Sequence, residues 1–154
     1  MVLVAIAMVA IIAMAALSID VVVLYLAREE AQRSADASAL AAARVISLSG
    51  MTGDPNNSAC SWQAISGGSG SPATQTATAV ASQNAVGRAA PDTISVTYSA
   101  GGSSGADCSS LPAAFGVNPM VTVQITRASL PTFFSRIWGK TGNTVSATAT
   151  AEAF

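Results

Sequence analysis

Residues 1–48, MVLVAIAMVAIIAMAALSIDVVVLYLAREEAQRSADASALAAARVISL, decide the fold. From Met1 to Ala27 the run is apolar and carries one charge, Asp20. Neither Gly nor Pro interrupts it before Gly50, so the pattern predicts one long helix. Residues 1–27 read as a segment that crosses a membrane or packs in the apolar core of an assembly. At about 1.5 Å per residue they reach roughly 40 Å, against about 30 Å for the hydrocarbon layer of a bilayer. Residues 28–49 read as an amphipathic continuation, and 50–154 as a small head with polar loops. The expected fold class is α+β: the long helix leads into a small antiparallel sheet with one or two short helices.

Ala5, Ala7, Ala10, Ala13, Ala15 and Ala16 crowd the apolar run. Small residues let helices approach closely where the surroundings are as oily as the helices themselves. The positions expected to carry helix packing are Ala5, Met8, Ile12, Ala16, Asp20 and Tyr25. Asp20 needs an explanation, because a carboxylate in a low-dielectric layer is costly unless it is wetted or paired. Two readings fit: it lies at the outer interface, or it pairs with a cation such as Arg28 or the amino terminus of a neighbouring copy. Proton-relay chemistry is excluded because no second ionisable group lies in the run. Lys or Arg usually marks the cytoplasmic edge of such a segment. None precedes this one, which leads to the expectation that Met1 is a processed end and that a basic leader was removed. A cleaved secretory signal fits less well, since no cleavage-type break follows the run.

In the amphipathic half, Glu29 and Glu30 reach Arg33, and Arg33 reaches Asp36, at helical spacing. Leu40, Ala43 and Ser47 follow one face, with Ala37 and Ala41 beside them. Gly50 ends the helix, and loop character continues to Pro72 through Gly67, Gly68, Ser69 and Gly70. Ser71-Pro72 resembles an N-cap followed by Pro at the first helical position. A second helix is expected over 72–86, stopped by Gly87. Ile94–Tyr98, Met120–Thr126 and Val145–Ala153 alternate apolar and polar residues, the signature of strands with one buried face. Pro131 to Gly139 suggests a short helix. Its aromatic residues Phe133, Phe134 and Trp138 read as core or as a contact patch. The outward strand faces are Ser, Thr and Gln with almost no charge. They fit either burial against other copies or a surface carrying glycans.

The bulk numbers remove whole classes of function. Charged residues are 10% of the 154-residue chain and the net charge is −1. Nucleic-acid binding needs a cationic footprint, and none is present. The chain has no His, hence neither the commonest general base nor the commonest transition-metal ligand. No phosphate loop, dinucleotide fingerprint, nucleophile elbow or calcium loop occurs. The expectation is therefore no catalytic residue, no cofactor and no metal. Cys60 and Cys108, the two cysteines, sit in polar loop stretches behind an export-type segment. They are expected to form a disulfide in an oxidising compartment.

LSIDVVVLYLAREEAQRSADASALAAA, residues 17–43, closely resembles the start of TadE/TadG-like proteins of bacterial Tad (Flp) pilus-assembly systems. The residues that carry the resemblance are Asp20, Tyr25, Leu26, Gln32, Ala35, Asp36, Ala37, Ala39, Leu40 and Ala41. The Val-x-Val strand, Pro131-Thr132-Phe133-Phe134 and the Ala-alternating last strand are similar too. The likeness to type IV pilins is looser: their Glu near the fifth mature residue is replaced here by Ala5. The resemblance implies a pilin-like chain without enzymatic activity. It implies membrane insertion before assembly, contact with the pilus-assembly machinery and a homo-oligomeric helical filament at the bacterial cell surface, with a role in adhesion. The alternative it implies is an inner-membrane-anchored accessory protein of the same system.

Overall fold

In a computed structural model, residues 2–49, 70–100, 119–132, 134, 139 and 142–154 are described. Helix α1, Val2–Leu48, runs unbroken for 47 residues, about 70 Å at the helical rise. Helix α2 covers Pro72–Gln83, with Ser71 in extended conformation before it and Pro at the first position. Strands β1 (Thr93–Ala100), β2 (Pro119–Leu130) and β3 (Asn143–Glu152) form an antiparallel sheet in the order β1-β2-β3. The architecture is the α+β arrangement read from the sequence.

The strand register explains the core. Ile94, Ile125 and Ala147 lie on one rung, Val96, Val123 and Ala149 on the next, and Tyr98, Val121 and Ala151 on the third. These side chains share the face turned toward α1, and the β2 members are fully buried. The opposite face is a hydroxyl lattice: Thr122 and Thr150 meet at 2.9 Å and Thr126 and Ser146 at 3.3 Å. α1 answers the branched residues of β2 with Ala27, Ala31, Ala35, Ala39, Ala42 and Ala43, closed by Ile46. Large chains on one surface and methyl groups on the other let helix and sheet approach closely. α2 joins the same core through Ala73, Ala77 and Ala81, and Thr74 binds the Tyr98 hydroxyl at 2.9 Å. Burial raises the Tyr98 pKa, against the opposing pull of Thr74 and Ser71.

Three local expectations are corrected. α2 ends at Gln83 and not at Val86. Asn84 caps it by donating its side-chain amide to the Val80 carbonyl at 2.7 Å. Val86 is then free to bridge Ala89, and Gly87 and Arg88 turn the chain at φ 58° and 72°. The packing face of α1 is also out of phase with the expected one: Leu40 and Ala37 are exposed and Ala41 half-buried, whereas Ala43 is buried together with Ala35, Ala39 and Ala42. Close approach of the helix to the sheet, whose facing residues are Val121, Val123 and Ile125 with Ala147, Ala149 and Ala151, suits Ala and not Leu. Finally, the expected Glu–Arg pairs of α1 do not form among the described residues, where the ion pair is Arg127–Asp92 at 2.7 Å. Glu30 instead accepts the Gly87 N–H at 2.7 Å, and Asp36 accepts the Gln32 amide at 3.0 Å. The short helix expected over 131–139 falls largely on residues outside the described ones.

Candidate functional site

α1 has two different surfaces. From Val2 to Met14 every large apolar side chain is exposed; Leu3 is 83% exposed and Ile12 63%. From Ala16 onward one face is sealed by the head. Ala16, Asp20, Ala27, Ala31, Ala35, Ala39, Ala42 and Ile46 are buried, with half-buried Leu24 packed into the same cluster. The steps of three and four residues trace one stripe along the helix. The opposite face stays apolar and open through Leu17, Ile19, Val21, Val22, Tyr25 and Leu26. Arg28, Glu29 and Glu30 follow at once and are exposed. Among the described residues, α1 is the one helix long and apolar enough to cross a membrane.

Two hydrogen bonds set the direction of the head. Gln32 donates to the Thr148 carbonyl at 3.3 Å, and Ser47 donates to the Phe154 carbonyl at 2.7 Å. β3 therefore climbs alongside α1, away from its N-terminus. The connection after β2 runs the other way. Leu130 is buried, and a Cβ placed on Gly87 would meet both its side chain and Ala27. Four residues on, the Phe134 N–H donates to the Asp20 carboxylate at 3.0 Å. The chain has thus descended from the level of Ala27 to that of Asp20. Asp20 is 5% exposed, and its carboxylate holds the lower end of the head against the helix.

Of the residues expected to pack helices together, Ala5, Met8, Ile12 and Tyr25 are exposed, whereas Ala16 and Asp20 are covered by the head. The Asp20 carboxylate accepts a backbone N–H of its own chain, that of Phe134. Phe134 is half-buried. Cys60, Cys108, Phe133 and Trp138 lie outside the described residues, and with them the expected disulfide and most of the aromatic patch. The Phe134 donor could not be read from the sequence, because every residue but Pro carries the same N–H. The Ala seam could have been found by following steps of three and four from Ala16 upward.

Residues 1–45 match the family model for putative Flp pilus-assembly TadE/G-like proteins. The family is the one that residues 17–43 resemble, and the match covers the apolar run as well as the Ala-rich continuation. No curated protein and no solved structure matches the chain.

Proposed function

We propose that this chain, whose first helix matches TadE/G-like pilus-assembly proteins, is a pilin-like structural subunit and not an enzyme. Its N-terminal helix waits in the membrane and then packs against copies of itself in the core of a Flp-type filament at the bacterial surface. The observation that supports this is the unsatisfied half of α1. Val2 to Met14 bares a large apolar surface that the head does not touch. Burying such surface is worth about 25 cal/mol per Å2, so lipid or another helix has to cover it. Ala5, Met8 and Ile12 provide a narrow face for a neighbouring helix.

Electron microscopy of sheared surface material, with peptide mass spectrometry, tests the proposal. This chain should be a repeating constituent of the fibres. Recovery in inner-membrane fractions alone would overturn it and leave the second reading, an anchored accessory factor of the same system. One observation favours that alternative. The exposed side of α1 passes from Val22 through Tyr25 to Arg28, the order of residues at a membrane–water boundary.

A further inference from the structure

We infer that Pro131, Thr132 and Phe134, the last held on Asp20 through its N–H, lie in the lipid headgroup layer, so that the head sits in the membrane surface instead of standing above it on a stalk. The inference deepens the proposed function and rests on the membrane-inserted stage that both of its readings share. It follows from heights along α1. On its open face, apolar side chains continue to Leu26, and the first exposed charge is Arg28. Arg28 marks water. Asp20 precedes it by eight residues, about 12 Å at the helical rise. The headgroup layer is only roughly 5–8 Å deep on each side of the hydrocarbon. Asp20 therefore lies at the hydrocarbon boundary or just below it, and a tilt of about 20° shortens the separation by less than 1 Å.

The head reaches the same depth, because Phe134 N–H is 3.0 Å from the Asp20 carboxylate. Above it, Leu130 stands at the level of Ala27 and Glu30 holds the Gly87 N–H. Pro131, Thr132 and Phe134 fall within that interval. Pro131 is exposed and Phe134 half-buried, and neither carries charge. The pairing also explains why a carboxylate is tolerated at this depth. Water is scarce there, and a backbone N–H brought down by the head supplies part of the solvation that Asp20 would otherwise lose. The partner is the headgroup and upper acyl region of a phospholipid bilayer.

Depth-dependent quenching by brominated phospholipids tests this on the full chain in proteoliposomes. The reporter is Phe134→Trp in a Trp62→Phe, Trp138→Phe background, with Val9→Trp and Ser95→Trp as references. Val9→Trp should lose most fluorescence to bromines near the bilayer centre, and Ser95→Trp, on the outer sheet face, should lose little to any. Phe134→Trp should be quenched most by bromines near the top of the acyl chains. Should the background substitutions unfold the head, the unmodified chain answers the same question. Phospholipids with a photoreactive group near the glycerol should label the peptide containing residues 131–134 and leave 93–100 unlabelled. Quenching at position 9 with none at 134, or an unlabelled 131–134 peptide, overturns the inference and leaves the proposed function standing. Absence of quenching at position 9 overturns both.

Discussion

Replacing Ile125 by Ala tests whether the head is held to α1 by a single sheet face. Ile125 is fully buried on the central strand, paired with Ile94 on one side and Ala147 on the other. Removing three carbons forfeits about 2.4 kcal/mol at ~0.8 kcal/mol per methylene. A cavity term adds to this, because Ile→Ala changes in cores span about 2–5 kcal/mol according to how far the site collapses. Collapse is hard here. The buried surface facing the sheet is largely Ala, which has no rotamer to swing into the gap. The expected loss is therefore about 3–5 kcal/mol, in the upper part of that range. Urea unfolding of the full chain in mild detergent, followed by the far-ultraviolet signal of the strands, reads it directly. With a slope of about 2 kcal/mol per molar, the midpoint should fall by roughly 2 M. Ile94→Ala, half-buried on the edge strand, should cost about half as much. Leu40→Ala, 65% exposed, should stay within about 0.5 kcal/mol of the parent. A loss below about 1 kcal/mol at Ile125, or equal losses at Ile125 and Leu40, would refute the placement of the core.

Gly87→Ala should destabilise by about 2 kcal/mol or more in the same melt. A side chain at φ 58° costs about 1–2 kcal/mol, and its Cβ would also strike Leu130; an unchanged midpoint would contradict this turn. Ala35→Leu should cost about 1–3 kcal/mol by overpacking, while Ala37→Leu, on the exposed side, should be neutral; equal effects would mean the helix is rotated. The third expectation concerns pH. The Ala128 N–H and then the Arg127 guanidinium hold the Asp92 carboxyl below its ordinary pKa. A carboxyl depressed in the folded state contributes stability that is complete above its unfolded pKa and is lost as pH falls through the folded value. Urea midpoints of the parent and Asp92→Asn should differ at neutral pH and converge below about pH 4; curves that stay parallel on acidification would remove the role given to this pair. Asp92 is exposed, so added salt should narrow the neutral-pH gap.

Features set by local chemistry were legible in the sequence. The absence of Gly and Pro from α1, Pro72 at the start of α2 and the alternation of β2 and β3 each mark an element where it is found. Element ends were harder, because they turn on single contacts. α2 stops where Asn84 caps it, three residues before the glycine that seemed the natural stop by composition. The phase of α1 was missed for a different reason. Leu outranks Ala on hydrophobicity alone, but close packing against the sheet is decided by volume, and Ala fits. Asp20 was legible as a residue in need of a partner. One partner is a main-chain group 114 positions away, and the descent of the chain after β2 delivers it.

The continuity of the Ala seam constrains what the helix can do. It runs from Ala16 to Ile46, and lifting α1 out of the head would expose Val121, Val123 and Ile125 together. Under the proposed function, passage from bilayer to fibre would therefore be a rigid-body move, in which only the surroundings of the open apolar surface change. That surface, from Val2 to Leu26, is about 37 Å long at the helical rise. In the proposed membrane stage lipid would cover it, and in the proposed fibre a bundle of like helices would cover it nearly as well. Exchanging one oily neighbour for another yields little hydrophobic free energy. The direction of the exchange must then come from elsewhere: close packing at small residues such as Ala5, and contacts made by the head. The hydroxyl face of the sheet, where Glu152 is the one exposed charge among the described strand residues, is well suited to the second role. Thr93, Ser95, Thr97, Gln124, Thr148 and Thr150 are exposed there. A neighbour docking on them would desolvate neutral hydroxyls and an amide, a far smaller penalty than stripping water from charges.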